Sequence, residues 1–163
     1  MELRKRHLNA RRIFVSLYVL AFAIYIIVGL QPAEAKNYEV SAELEIPSIG
    51  LTADVTRLAL NENKLDTPET IVGSYTQTEN KTLLIGHSST VFENLHNVSL
   101  RDKINYNDKT YKIVGIHKLE KSEVNMDQLL KRADKDTLVI MTCAGELLDG
   151  GDATHRLIVT AVR

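Results

Sequence analysis

The chain holds a single cysteine, Cys143, at the end of an apolar run from Thr137 to Cys143 (TLVIMTC). The next residues have loop composition: Ala144-Gly145-Glu146, then Asp149-Gly150-Gly151-Asp152. A side chain at a strand end beside a loop is well placed to face a cleft. A free cysteine is commonly just a small buried hydrophobe. The chemistry it could do is acyl transfer. A thiol with an ordinary pKa of about 8.5 is mostly protonated near neutrality, and the thiolate is the attacking species. A nearby imidazole can take that proton, or hold the thiolate as an ion pair, and later protonate a leaving amine. An arginine, always charged, can stabilise the oxyanion that forms when thiolate adds to an amide carbonyl. One well-placed donor of that kind lowers a barrier by about 3–4 kcal/mol. Cys143, a histidine and Arg156 are thus a sufficient set.

Five histidines compete for the second role. His7 lies in a basic stretch before a long apolar run. His96 sits in polar sequence, and His117 falls inside a strand-like segment. His155 adjoins Arg156. His87 follows Leu83-Leu84-Ile85-Gly86 and so also projects from a strand end. On residue types and positions alone, His87 and His155 divide the choice.

The elements that must position these residues read as short strands. Val40–Ile46 (VSAELEI) alternates, with Val40, Ala42, Leu44 and Ile46 on one face, and Pro47 and Gly50 end it. Further strands are expected over 54–60, 83–86, 102–106, 110–119, 137–143 and 156–162, with Asn107-Asp108 as a hairpin turn. Short helices are expected over 90–95 and 125–133. This pattern implies a mostly β fold, an antiparallel sandwich or barrel. About 128 residues suffice for one such core.

The N-terminus sets the compartment. Ile13 to Leu30 contains no charge over 18 residues and follows Arg4, Lys5, Arg6, Arg11 and Arg12. As a helix it rises about 27 Å, enough to cross a hydrocarbon core of about 30 Å. Basic flanks stay inside. The expected organisation is a cytoplasmic tail (1–12), a transmembrane signal anchor (13–30), a linker (31–39) and an extracellular catalytic domain (40–163). Ala33-Glu34-Ala35 has the form of a cleavage site, but the apolar run exceeds the usual secretory length. Outside the cell a free thiol is open to oxidation, so an unpaired cysteine there needs a reason. The exported part carries 15 basic and 20 acidic residues, which argues against nucleic acid as a partner.

Several residues resemble motifs of the sortases, the transpeptidases of bacterial cell-wall sorting. Their cysteine motif, Thr-Leu-x-Thr-Cys, is similar to Val139-Ile140-Met141-Thr142-Cys143, with Val139 in place of the first Thr. The histidine motif resembles Leu83-Leu84-Ile85-Gly86-His87, and the arginine strand Arg156-Leu157-Ile158-Val159. Ile46-Pro47-Ser48-Ile49 looks like the family's opening strand. The spacings agree too: 56 residues from His87 to Cys143 and 13 from Cys143 to Arg156. The resemblance covers about 40–163. It implies a closed eight-stranded β-barrel and a triad of Cys143 (nucleophile), His87 (acid and base) and Arg156 (oxyanion stabilisation), with Thr142 shaping the substrate groove. It implies cleavage of an LPxTG-like C-terminal sorting signal on surface proteins, between Thr and Gly. The acyl group then passes from Cys143 to an amine of a peptidoglycan precursor or a pilin. Some sortases bind calcium through acidic loops. Glu120, Glu123 and Asp127 lie in the corresponding connection, but scattered acids read as solvated surface. No metal or cofactor is expected.

Other readings of the same residues are a hydrolytic cysteine peptidase, an enzyme like the L,D-transpeptidases, and a non-catalytic anchored β-domain that binds. The L,D-transpeptidases place an arginine close behind the cysteine, unlike Arg156. A binding domain would leave Cys143 inert.

Overall fold

The computed structural model describes residues 38–60, 65–148 and 152–163. The expected tail, anchor, cleavage site and most of the linker, residues 1–37, lie outside the described residues. Among the described residues no helix is long and apolar enough to cross a membrane.

Eight strands form the fold: β1 (Val40–Ile46), β2 (Leu51–Arg57), β3 (Val72–Thr78), β4 (Lys81–Ile85), β5 (Lys103–Tyr106), β6 (Lys109–Glu120), β7 (Thr137–Leu147) and β8 (Ala153–Val162). They close into a barrel in the order β1-β2-β3-β4-β7-β8-β6-β5. Closure leaves no exposed sheet edge. Most neighbours are antiparallel, but β2 with β3 and β4 with β7 run parallel. One short helix, α1 (Met126–Leu130), lies between β6 and β7. Asn125 caps it, its Oδ1 accepting from the Gln128 N–H at 3.1 Å.

Alternation along the strands separates two apolar clusters. Leu44, Ile46, Val55, Val72, Leu84, Leu138, Ile140 and Val159 belong to the main core. Leu83, Ile85, Val139 and Ile158, one position out of phase, form the second. Leu58, Leu65, Val124, Met126, Leu129 and Leu130 pack over it from the β2–β3 and β6–β7 connections, with Leu119 from the end of β6. Both faces of β7 are therefore covered, which is why its first half is continuously apolar rather than alternating. Each such aliphatic side chain contributes about 1.5–3 kcal/mol when fully buried.

The structure corrects several expectations. β3 (VGSYTQT) is absent from the strands expected above, because its buried positions include Gly73 and Ser74. Ser74 is satisfied by donating to the Thr56 carbonyl at 3.0 Å. Residues 90–95 form turns leading into a 3-10 turn at Leu95–Asn97, not a helix; β-branched Thr90 and Val91 weaken any helical preference there. Val40 departs from its expected face and is 53% exposed, because the β1–β2 register slips between Val40 and Ala42. β7 continues to Leu147 and β8 begins at Ala153, so both strands outrun their apolar cores.

Candidate active site

Strand order decides which candidates meet. β4, β7 and β8 are consecutive in the barrel. Because β4 and β7 are parallel, both reach the same end of the barrel, with Ile85 beside Met141. His87 lies two residues beyond Ile85, and Cys143 two beyond Met141. Across the antiparallel β7–β8 pair, Cys143 sits directly opposite Arg156. Side chains so paired are close neighbours on one face. Cys143, His87 and Arg156 all line one cleft of about 620 Å³, on the face of the sheet that carries the second apolar cluster.

His87 is held through its backbone. Its carbonyl accepts from the Phe92 N–H at 3.0 Å, closing the turn that follows β4. The preceding Gly86 is packed so tightly that a Cβ there would lie 2.6 Å from Val91 and 2.9 Å from Phe92. Only glycine allows that approach. Buried Thr142 points away from Cys143 and donates from Oγ1 to the Gly86 carbonyl at 2.7 Å. That bond ties the residue before Cys143 to the residue before His87. The structure thus gives Thr142 a lock between β4 and β7, besides its position on the cleft wall.

Arg156 is the most constrained of the three. Its Nη2 donates to Asp152 Oδ1 at 2.6 Å, and Nη1 donates to the carbonyls of Ala153 at 3.0 Å and His155 at 2.9 Å. Lys121 Nζ pairs with Asp152 Oδ2. Lys121 first, then Arg156 and the Ala153 N–H, hold the Asp152 carboxyl well below the usual carboxylate range. Its folded value is depressed, so its stabilising contribution is present above about pH 4, the unfolded value. It is lost only as pH falls through the folded value.

His155 is separated from the cleft. It stands one residue from Arg156 and lines a different pocket with Glu120 and Leu148. Its Nδ1 lies 2.8 Å from Thr154 Oγ1. His96 is exposed, with Nδ1 against the Glu93 carbonyl at 3.0 Å. His117 is on β6, opposite Ile158 of β8. Of the described histidines, His87 alone lines the cleft of Cys143.

The walls of the cleft were not legible in the sequence. Leu65, Tyr75, Met126, Asp127 and Leu130 reach it from the β2–β3 connection, β3 and α1. No local pattern marks them, since they converge only when the barrel closes. Of the acidic trio, Glu120 and Glu123 are engaged in a reciprocal capping box around the 3-10 turn Lys121–Glu123, and Asp127 lies at the cleft.

A family model described as Sortase domain matches residues 44–163. No curated protein matches the chain in sequence. Among solved structures, the chain is similar to sortase A from Corynebacterium diphtheriae, with a TM-score of 0.59 and 24% identity, covering 79% of this chain and 62% of that one. It is similar to sortase C-1 from Actinomyces oris, with a TM-score of 0.57 and 24% identity over 76% of this chain and 71% of that one. It is also similar to Clostridium perfringens sortase C with the C-terminal cell wall sorting motif, with a TM-score of 0.58 and 23% identity over 80% and 73%. The chain thus spans about three-fifths of the length of the first of these. The structural likeness establishes the barrel fold, and the family model, which runs from β1 to the last residue, establishes descent. The chain belongs to the sortase family, whose members are cysteine transpeptidases.

Proposed function

We propose that this chain cleaves a C-terminal sorting signal similar to Leu-Pro-x-Thr-Gly between Thr and Gly, and passes the acyl group to an amine. The observation that carries this reading is the convergence of Cys143, His87 and Arg156 on one cleft. The Clostridium perfringens sortase C, solved with a cell wall sorting motif, supports the substrate class.

Cys143 thiolate adds to the Thr carbonyl carbon, forming a C–S bond. Negative charge moves to the carbonyl oxygen, where Arg156 stabilises it. The C–N bond to Gly breaks, and His87 imidazolium gives its proton to the departing amine. The product is a thioester on Cys143. An incoming amine then adds to the thioester carbonyl, His87 takes the amine's proton, and the C–S bond breaks to restore the thiolate. The acceptor is an amine of a peptidoglycan precursor or of a pilin lysine. Exclusion of water from the thioester would favour amine over hydrolysis. Residues 13–30 anchor the chain in the cell membrane, with the N-terminus cytoplasmic and the catalytic domain outside, where surface proteins and cell-wall amines meet it.

Intact mass of the full chain in detergent, incubated with a Leu-Pro-x-Thr-Gly peptide, tests this reading beside Cys143→Ala. A thioester adduct or Thr–Gly cleavage, absent in the variant, is expected. Adding diaminopimelate-type or lysyl amines should convert the adduct to an amide. A folded wild-type chain whose thiol alkylates slowly, and which forms no adduct, would point instead to an inert Cys143 and a binding domain.

A further inference from the structure

Asp152 opens the approach to β8, and its carboxylate is shared by two cations from separate parts of the chain. Oδ1 accepts from Arg156 Nη2 at 2.6 Å. Oδ2 accepts from Lys121 Nζ, in the turn after β6. The arginine side chain is 15% exposed, against 35% for Asp152 and 56% for Lys121. The guanidinium is therefore the inner member and the lysine the outer one. Arg156 Nη1 is meanwhile spent on the carbonyls of Ala153 and His155. A guanidinium has five N–H donors. Contacts on Nη1 and on one side of Nη2 fix its plane and, among the described residues, leave Nε and the rest of Nη2 for a bound group. An unheld arginine side chain otherwise samples many rotamers. A donor that is already oriented needs no reorganisation when charge develops on a substrate oxygen.

We propose that Asp152, steadied by Lys121, is a positioning residue that holds the Arg156 guanidinium toward the carbonyl oxygen of the acyl group on Cys143. The proposal rests on the proposed role of Arg156 in oxyanion stabilisation. Two features favour it. Cys143 and Arg156 are direct cross-strand partners, so a small rotation of the guanidinium changes its reach to the thioester. The two cations also come from different elements, Lys121 from the β6–β7 connection and Arg156 from β8, so the carboxylate joins the turn that leads to α1 to the start of β8.

The simpler role for Asp152 is to close its own loop. Oδ1 also accepts from the Ala153 N–H at 2.8 Å, and the Asp152 carbonyl accepts from the Leu148 N–H at 2.8 Å. Two substitutions separate the roles. Asp152→Asn keeps the side-chain oxygen for the loop and removes the charge. Asp152→Glu keeps the charge and displaces the short loop contact. The experiment measures kcat and KM for amine-dependent cleavage of a Leu-Pro-x-Thr-Gly peptide by the full chain, with thermal midpoints for each variant. Arg156→Lys and Lys121→Met run alongside. Orientation of Arg156 predicts that Asp152→Asn loses about 10- to 100-fold in kcat with KM nearly unchanged. It predicts that Asp152→Glu recovers most of that loss, and that Lys121→Met loses only a few-fold. If Asp152→Asn turns over like wild type while Arg156→Lys is crippled, the positioning role is wrong and the reading of Arg156 stands. If Arg156→Lys itself matches wild type, the reading of Arg156 falls, and this inference with it. If Asp152→Glu is the worse variant, or if both lose thermal stability in step with activity, Asp152 is only a loop cap.

Discussion

The reactive form in the proposed mechanism holds the Cys143 thiolate and the His87 imidazolium together. Activity is therefore expected to be bell-shaped in pH, falling where either charge is lost. Asp152 is not the source of the acid limb, since Lys121 and Arg156 keep it ionised far below the pH at which an imidazole changes charge. Initial rates between pH 5 and 10 check this, and a flat profile would count against the pair. Thr142 offers a second test at this scale. Thr142→Val keeps the shape of the side chain but leaves the buried Gly86 carbonyl without its hydroxyl partner. A loss of about 1–3 kcal/mol in urea unfolding is expected. Turnover should fall as well, because the lost bond is the one that ties the Cys143 strand to the residue before His87.

Elements position these side chains through register. The parallel β4–β7 pair brings two strand ends to one place, although 56 residues separate His87 from Cys143. The antiparallel β7–β8 pair then sets Arg156 opposite the thiol. Immediately past Cys143, Gly145 has φ +82°. The β7–β8 register shifts between Ala144 and Leu147, and this bulge turns the strand just beyond the cleft. At the other end of the barrel, the β5–β6 hairpin has Asn107 and Asp108 at φ 49° and 61°. Both positive values, in a two-residue loop, mark the turn type that prefers glycine second. Asp108→Gly is expected to raise stability by about 0.5–1 kcal/mol, with kcat/KM unchanged. Chemical denaturation beside a peptide-cleavage assay checks both halves of that statement.

At the scale of the whole molecule, barrel closure brings Tyr111 of β6 under Asp136, just before β7. Tyr111 is buried, and its hydroxyl donates to Asp136 Oδ1 at 3.1 Å. Burial first, and then the Asp136 charge and hydrogen bond, push the phenol above its ordinary value. A raised folded value means that the contribution is fully present below about pH 10, where an unfolded tyrosine ionises, and is lost as pH rises through the folded value. Tyr111→Phe is thus expected to lose about 1 kcal/mol at pH 8. The gap between variant and wild type should close progressively above about pH 10. Unfolding midpoints at pH 8 and pH 11 measure that gap, and a gap that widens with pH would reverse the assignment.

Strongly periodic or punctuated segments were legible from residue order alone. VSAELEI reads as a strand because alternation is local, and TLVIMTC because an apolar run bounded by charge has few other solutions. Asn107-Asp108 reads as a turn because those residues tolerate positive φ. The types Cys, His and Arg at strand ends marked the chemistry, and matching them to a family chose His87 over His155. That choice could not come from position alone, since both histidines adjoin strand ends. Tertiary structure separates them by strand order: β4 lies beside β7, and His155 lies on β8 one residue out of phase with Arg156. β3 stayed hidden because glycine and serine at its buried positions are satisfied by neighbouring strands, not by their own hydrophobicity. The cleft walls and the Lys121–Asp152–Arg156 cluster were hidden for a related reason. Their members come from separate strands and connections, and only closure of the barrel brings them together. Residue type and period determined which groups could react and which segments extend, because both are local properties. Which of those groups face one another was decided by strand pairing across long sequence separations, which no local pattern encodes.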